Sequence, residues 1–461
     1  MSLSVSLDKP RIGSLDSIQS DAIGFESQTA LVRRLIWLYM VLWLIEGSLR
    51  RWFLPSLASP LLLIRDPLVL VIYFCAFAKR VFPINFFIYS GALLAILTFA
   101  NALLIGHGNP LVALYGVRCD FLHVPLILIM GQVIRRKDLI ALARIALLIA
   151  IPYTLLLIAQ FYAPQDAWVN RGIGGSLEGA GFSGALNRFR PPGTFSFISG
   201  PSQLYPIFTA CWFGLALIRK LPSWLAIASA MAILVTIPVS VSRGLFLSVL
   251  LVAVLGVGAL FISGRFSTEM IIRIAVAGII LPVLAQKTPA FRDGMEAFQA
   301  RWESSTTDNG GFQEAIVDRV LNDLFGVFKI PEHSCLGTGF STNVGQKVLT
   351  GEPGFGASEA EWGRLLYDNG YLLGSLLILY RVALAASIVY AAFRGWRQGA
   401  PMGVVFAAAG FLLLFDGEWG QSTTLGSAII CGGLTLAASK AYENDDFNTR
   451  LLRDPAKTFG Q

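Results

Sequence analysis

Long apolar segments, separated by short polar connections, are the feature that most limits what this chain can fold into. An α-helix needs about 20 mostly apolar residues to cross a bilayer. Twelve segments meet that requirement, with approximate cores at 33–48, 60–78, 84–104, 111–132, 138–161, 197–218, 223–241, 245–262, 270–286, 364–391, 402–416 and 422–440. Because 55% of the residues are hydrophobic and only 14% are charged, the sequence predicts an all-α polytopic membrane protein with no soluble domain large enough to fold alone.

Basic residues between the apolar segments predict how the helices are oriented. They all fall on one side of the predicted bundle: Arg33 and Arg34, Lys79 and Arg80, Arg135 to Lys137, Arg219 and Lys220, Arg265, Arg394 and Arg397, and Lys440. The positive-inside rule makes that side cytoplasmic. Residues 1–32 and 441–461 are then cytoplasmic tails, with spans one to nine in 33–286 and spans ten to twelve in 364–440. The net charge of +7 follows from this topology, so no nucleic-acid partner is expected.

Two longer polar segments are predicted on the opposite, extracytoplasmic side. The larger, residues 287–363, has eleven acidic and six basic residues. Helical spacing places Phe291, Met295, Phe298 and Trp302 on one face of a first amphipathic helix. A second helix has Phe312, Ile316, Val320, Leu324 and Phe328 on one face. The smaller loop, residues 162–196, is rich in glycine and therefore flexible.

Arginines near the outer ends of the predicted helices oppose the positive-inside rule. They are Arg65, Arg118, Arg190, Arg243 and Arg364. The start of a helix carries partial positive charge and favours an acidic neighbour over a basic one. Free backbone N–H groups and arginine side chains both bind phosphate oxygens well. The pattern therefore predicts a strongly anionic ligand at the outer face.

Local ion pairs are the alternative interpretation for each of these arginines. Arg65 precedes Asp66, and Arg118 stands two residues before Asp120, so pairing and anion binding are equally compatible with the sequence there. For Arg364 the sequence favours pairing, because Glu361 and Asp368 lie one helical turn away on either side. Arg190 and Arg243 have no acidic neighbour within four residues, so anion binding is favoured for these two.

A proton acceptor near the anion would distinguish an enzyme from a channel. Glu359 and Glu361 stand at the membrane edge before span ten, where partial burial could raise the pKa of a carboxylate enough for a general base. Capping of the helix start is the alternative role for both. His333 is the second candidate, against an ordinary surface role. The five cysteines and three histidines form no ligand pattern, so no metal and no cofactor are expected.

The order of several short motifs resembles the O-antigen ligase and O-antigen polymerase family of bacterial envelope enzymes. The motifs are Arg190-Pro-Pro-Gly-Thr-Phe, Ser242-Arg-Gly, the long outer loop with Cys335-Leu-Gly-Thr-Gly-Phe, and the Glu361 to Gly374 segment with Asn369-Gly-Tyr-Leu-Leu-Gly. The resemblance covers roughly residues 90–440. It implies a metal-independent, inverting glycosyltransferase of the bacterial plasma membrane, with its active site facing the periplasm or the exterior.

By this resemblance, Arg190 and Arg243 hold the pyrophosphate of a polyprenyl-pyrophosphate-linked oligosaccharide, and a base deprotonates the acceptor hydroxyl. Other polysaccharide-assembly proteins are expected partners. The ligases have a catalytic histidine just before span ten, where this chain has Glu359 and Glu361. That departure favours a polymerase over a ligase that uses lipid A core. A lipid-linked sugar flippase remains an alternative, as does an enzyme using polyprenyl monophosphate donors, with Glu46 and Asp66 as its acidic residues.

Overall fold

The chain folds into a bundle of α-helices, seen in a computed structural model that describes residues 13–264, 278, 281–308, 335–342, 345, 349 and 361–440. Its first helices are α1 (Gly13–Ser48), α2 (Ala58–Leu61), α3 (Arg65–Ala78), α4 (Phe86–Leu104), α5 (Pro110–Val117), α6 (Val124–Val133) and α7 (Arg136–Tyr162). They are followed by α8 (Ser199–Leu217), α9 (Ser223–Val239), α10 (Arg243–Ile262), α11 (Leu281–Ala285), α12 (Pro289–Asp308), α13 (Glu361–Arg397), α14 (Met402–Asp416) and α15 (Ser422–Ala438).

Short irregular elements join some of these helices. A π-helix follows α1 (Leu49–Phe53), and a second (Arg118–Leu122) joins α5 to α6 in one apolar rod, Pro110–Val133. Three 3₁₀ turns occur at Pro55–Leu57, Trp168–Asn170 and Ile173–Gly175. The strands β1 (Phe182–Ser183) and β2 (Phe189–Arg190) form an antiparallel pair.

The predicted apolar segments coincide with helices wherever the structure describes them. Among the described residues, five helices are long and apolar enough to cross a membrane: Phe86–Leu104, Pro110–Val133, Arg136–Tyr162, Arg243–Ile262 and Glu361–Arg397. A sixth span is possible if the bent pair Pro55–Leu61 and Arg65–Ala78 counts as one. The helices α9, α14 and α15 are apolar but shorter. The described residues therefore indicate a helical membrane protein, while the count of twelve spans and the side of each terminus stay predictions.

Capping residues begin several of the helices. Asn109 accepts hydrogen bonds from the backbone N–H groups of Leu111 and Val112, and Pro110 occupies the first helical position. Ser242 accepts from the N–H of Leu245 at the start of α10. Both side chains satisfy N–H groups that have no partner inside the helix. The starts of α5 and α10 are therefore determined by capping residues next to them in the sequence.

The helix α8 lies at the centre of the bundle and contacts α7, α9, α10, α14 and α15. Every residue from Gln203 to Leu217 is buried. Its polar groups bond inside the protein: the Oγ1 of Thr154 on α7 contacts Tyr205 Oη at 2.7 Å, and the indole N–H of Trp212 donates to Ala226 O at 3.0 Å. These bonds allow an almost entirely buried helix to retain polar side chains.

The long helix α13 is two helices that fold back on each other at Gly370, where φ is +68°. Glu361 and Arg381 are 20 residues apart, yet their Oε1 and Nη1 atoms are 2.5 Å apart; in a straight helix their Cα atoms would be about 30 Å apart. The turn 335–342 holds this reversal, because Gly339 donates its N–H to Asp368 O at 2.8 Å and Leu372 donates to Cys335 O at 3.2 Å. The predicted tenth segment, 364–391, is therefore helical but interrupted at Gly370.

Candidate functional site

A two-stranded hairpin presents Arg190. Phe182 pairs with Arg190 and Ser183 with Phe189. The connecting turn has Leu186 and Asn187 at positive φ (52° and 56°) and closes with a 2.9 Å hydrogen bond from Arg188 N–H to Ala185 O. Positive φ at both central residues is the geometry that suits a tight hairpin. The strand pairing therefore fixes the direction in which the backbone of Arg190 runs.

The segment after Arg190 is held by two buried side chains from α7 and by Arg51. Gln160 binds both backbone groups of Gly193, accepting from its N–H at 2.8 Å and donating to its carbonyl at 3.0 Å. The fully buried guanidinium of Arg51 donates to the carbonyls of Gly193 and Phe195, each at 2.9 Å. Tyr153 Oη accepts from the N–H of Thr194 at 3.0 Å. The backbone of residues 193–195 is therefore held by side chains from two other elements.

A tight turn between α9 and α10 presents Ser242 and Arg243. Val241, in this turn, is buried and has φ of +47°. This conformation is a true outlier for a β-branched side chain, and such strain persists only where the surroundings impose it. The turn places Ser242 as the cap and Arg243 as the first residue of α10.

These two elements and α12 converge in what we call the arginine cluster: Arg190, Arg243 and Arg301, with Ser202 and Ser242. Arg190 Nη2 donates to Ser242 Oγ at 3.4 Å, and Ser242 Oγ lies 3.2 Å from Ser202 Oγ on α8. Arg301 donates to Gly184 O at 3.1 Å, inside the hairpin that presents Arg190. Four segments that are distant in the sequence therefore meet at one place.

The amphipathic face predicted for α12 positions Arg301. Phe291 is buried, and the rings of Phe298 and Trp302 lie 6.1 and 6.4 Å from the ring of Phe246 on α10. The prediction that these aromatic residues share a packed face is confirmed. The second predicted amphipathic helix, 312–328, lies outside the described residues.

The electrostatics of the arginine cluster favour an anion. Burial, together with the positive charges of Arg301 and Arg243, lowers the pKa of Arg190 to about 10. Among the described residues, no carboxylate contributes to that shift, and the Nε of Arg190 is buried without a hydrogen-bond partner. Partly buried guanidinium groups that repel one another are stabilised by a shared counter-ion, and phosphate oxygens match their geometry.

Arg65 and Arg118, also predicted to bind the anion, lie in buried ion pairs outside the cluster. Arg65 donates to Glu46 Oε2 at 3.1 Å and to the Ser422 carbonyl at 2.5 Å. Arg118 donates to Asp66 Oδ2 at 2.7 Å. Pairing was the alternative weighed for both, but the expected partners were wrong: Arg65 pairs with Glu46 rather than with Asp66.

Arg364 is paired, as its sequence neighbours indicated. It binds both oxygens of Glu361 at 2.8 Å and lies 3.4 Å from Asp368 Oδ2 and 3.3 Å from Asp120 Oδ2. Arg381 binds the same Glu361 carboxylate. Glu361, proposed as a base, is therefore a buried partner of two guanidinium groups. The other proposed bases, Glu359 and His333, lie outside the described residues.

Three polar residues that make long-range contacts were not predicted from the sequence. Arg301 was counted only as a loop charge, although its place beside the apolar face of α12 was a usable signal. Arg51 and His123 gave no local signal, because their partners are distant: His123 Nε2 lies 2.9 Å from Asp66 Oδ1 and its Nδ1 lies 3.0 Å from Tyr39 Oη. Over the described parts of the chain, no group of three or more His, Cys, Asp or Glu residues is placed to hold a metal ion.

Comparison with known proteins adds no family assignment: no protein-family model matches the sequence, and no curated protein matches it.

Proposed function

We propose that this chain is a polysaccharide polymerase of the bacterial plasma membrane, with twelve spans, both termini in the cytoplasm and its active site on the outer face. It would transfer an oligosaccharide from a polyprenyl-pyrophosphate donor to a sugar hydroxyl. The observation that supports this function is the arginine cluster, where Arg190, Arg243 and Arg301 meet beside Ser242. Such a group of cations suits a diphosphate that gains negative charge as it leaves.

The reaction would be a single displacement at the anomeric carbon. The acceptor oxygen forms a bond to that carbon from the side opposite the diphosphate, and the diphosphate leaves with the electron pair of the broken C–O bond. The acceptor's proton passes to a base on the protein. The base later releases this proton to water, so it returns to its original charge. Glu359 and His333 are the proposed bases. Proton acceptance by Glu361 would instead disrupt its contacts with Arg364 and Arg381.

A ligase that transfers the same donor to another acceptor is the nearest alternative. Its arginine cluster would serve the same purpose, so the two enzymes differ only in the acceptor. A polyprenyl monophosphate donor is less favoured, because Glu46 and Asp66, the acidic residues proposed for that class, bind Arg65 and Arg118.

A transporter for lipid-linked sugars is a second candidate. It is favoured by buried charged side chains on several apolar helices, namely Glu46 on α1, Arg65 on α3, Asp120 in the Pro110–Val133 rod and Arg381 on α13. The interruption of α13 at Gly370 also resembles the broken helices that transporters use at their binding sites.

Purified protein supplied with a lipid-linked repeat unit tests these proposals together. Longer glycans indicate a polymerase, transfer to a different acceptor indicates a ligase, and movement across vesicles without new bonds indicates a transporter. Arg190→Ala and Arg243→Ala are each expected to abolish product while protein levels stay normal. Arg292→Ala is the matched control, since Arg292 is exposed on the same helix as Arg301. Near-normal product from both cluster variants would refute the pyrophosphate assignment.

A further inference from the structure

A cavity of about 270 Å³ is lined by α8, α9 and α10, whose ends form part of the arginine cluster, and by Gly278. Its walls are apolar: Thr209, Trp212 and Phe213 come from α8, Ile233 and Ile237 from α9, and Ala253 from α10. The polar atoms among them are turned to other partners. Thr209 donates its hydroxyl to Tyr205 O, and Trp212 donates to Ala226 O.

The residues that line the cavity lie deeper in the bundle than the arginine cluster on all three helices. On α10, Val249 and Val257 line it, seven and fifteen residues beyond Ser242, which corresponds to depths of about 10 and 22 Å. On α8, Thr209 is seven residues beyond Ser202, again about 10 Å deeper. On α9, Ile237 lies only three residues before Ser240, about 4.5 Å along the helix axis.

The arginine cluster and the deeper apolar cavity thus follow the order of an anionic headgroup and its apolar tail. We infer that the cavity holds the first isoprenoid units of the polyprenyl chain whose diphosphate binds the arginine cluster. This inference rests on the proposed function, because it takes the anion to be the headgroup of that lipid. A chain held here would fix the direction in which the diphosphate leaves and would exclude soluble sugar nucleotides as donors.

Filling the cavity is the direct test. Ala253→Phe places a ring where the chain would lie. Val254→Phe is the matched control, because Val254 is the next residue on α10, is 60% exposed and does not line the cavity. Two probes are titrated into purified protein: inorganic pyrophosphate, which has only the anion, and farnesyl pyrophosphate, which has three isoprenoid units.

Wild-type protein and Val254→Phe are expected to bind farnesyl pyrophosphate at least tenfold more tightly than inorganic pyrophosphate. Ala253→Phe is expected to bind inorganic pyrophosphate normally, which also shows that it is folded, but to lose the preference for the farnesyl probe. A preference that persists in Ala253→Phe, or is equally lost in Val254→Phe, would overturn the tail assignment.

The two levels of the proposal fail separately. If inorganic pyrophosphate does not bind wild-type protein, or binds Arg190→Gln equally well, the anion site and the proposed function are wrong whatever the farnesyl probe does. If Arg190→Gln loses pyrophosphate binding while Ala253→Phe keeps the preference for the farnesyl probe, the anion site is supported and the tail binds elsewhere. Should Ala253→Phe fail to bind either probe, Ala253→Leu repeats the measurement with a smaller obstruction.

Discussion

The guanidinium of Arg190 is partly buried, and the two charged groups that lower its pKa, Arg301 and Arg243, are also positive. In the part of the chain that the structure describes, no carboxylate contributes to the pKa of Arg190. Burial of such a charge costs stability, so this arrangement makes the unliganded protein less stable than it would be with a neutral side chain. A site that binds an anion needs such a field before the anion arrives, because preformed charges require no rearrangement when the ligand binds.

Arg190→Gln should therefore separate stability from binding. We expect the variant to lose pyrophosphate binding and to be more stable without ligand, by about 1 kcal/mol, because a screened charge repulsion is removed. Thermal unfolding of purified protein with and without pyrophosphate measures both effects. Arg188→Gln is the control, since Arg188 lies two residues earlier and is one-third exposed. A less stable, binding-competent Arg190→Gln protein would contradict the charge argument.

The pKa of Arg190, lowered from 12.5 to about 10, gives a pH dependence that can be measured. Sulfate is a suitable probe because its charge does not change above neutral pH. We expect sulfate binding to be constant below pH 9 and to weaken as pH rises through about 10, when Arg190 loses its proton. Between about 10 and 12.5 the unfolded chain binds more protons than the folded chain, so this residue makes stability rise with pH. The difference between wild-type protein and Arg190→Gln isolates the effect, and its absence would refute the lowered pKa.

Gly193 lies three residues after Arg190, and its backbone conformation helps to fix the segment that follows Arg190. Its φ is +65°, and a Cβ there would lie 2.1 Å from Tyr153 Oη. Gly193→Ala should destabilise the protein by at least about 2 kcal/mol, through left-handed strain and steric overlap, and should weaken pyrophosphate binding. Gly258→Ala is the control, because nothing lies within 4 Å of the added Cβ. Chemical denaturation of both variants measures the difference; equal stability would argue against a fixed Pro191–Phe195 segment.

In α13, the sequence predicted the helix but not its reversal at Gly370. Its apolar residues predicted a helix correctly, because apolar length is a local property. The reversal was missed although Asn369-Gly370 is a common turn signal, because the reversal depends on the turn 335–342 and on pairing between Glu361 and Arg381. Such contacts join residues far apart in the sequence and leave no periodic pattern.

The candidate site shows the same division. Ser242 as a cap and Arg243 at the first position of α10 follow from local helix-start rules. Asp120 was the partner expected for Arg118 under the ion-pair interpretation, but residues two apart on a helix point in different directions. In the fold, Arg118 forms an ion pair with Asp66 on α3, and Asp120 forms an ion pair with Arg364. Proximity in sequence therefore identified the charged residues but not their partners.

Glu361→Gln tests whether the reversal of α13 depends on its ion pairs. Removing this carboxylate leaves Arg364 and Arg381 buried with less negative charge nearby, so we expect a loss of about 3–5 kcal/mol. Glu296→Gln should change stability by less than about 0.5 kcal/mol, because Glu296 is exposed. Removing Arg381 as well should recover part of the loss in a double-mutant cycle. If Glu361→Gln is as stable as Glu296→Gln, the carboxylate is free for other roles and returns as a candidate base.

At the scale of the whole molecule, the charged residues fall into two kinds. Those inside the helical bundle are paired: Arg65 with Glu46, Arg118 with Asp66, and Arg364 with Glu361. In the arginine cluster, the charges nearest Arg190 are positive. Sequence composition predicted a membrane protein and its helical segments, and acidic neighbours in the sequence separated Arg364 from Arg190 and Arg243 but left Arg65 and Arg118 undecided. Long-range contacts distinguish the arginines that pair with acidic residues in the bundle from Arg190, whose pKa two neighbouring arginines lower.

The proposed function requires the arginine cluster to face the outside of the cell, and Cys335 allows this to be tested with little change to the protein. Cys335 is exposed, Cys75 is half-buried, and Cys119, Cys211 and Cys431 are buried. A membrane-impermeant maleimide should label Cys335 in intact spheroplasts, and Cys335→Ser should remove the label. Lys79→Cys in the Cys335→Ser background should be labelled only after permeabilisation, because the positive-inside rule places Lys79 in the cytoplasm.

The Cys335 turn bonds to the reversal of α13, so labelling also reports the side on which that reversal lies. The opposite pattern would place the large loop in the cytoplasm and exclude an outer-face polymerase, even if the arginines bind pyrophosphate.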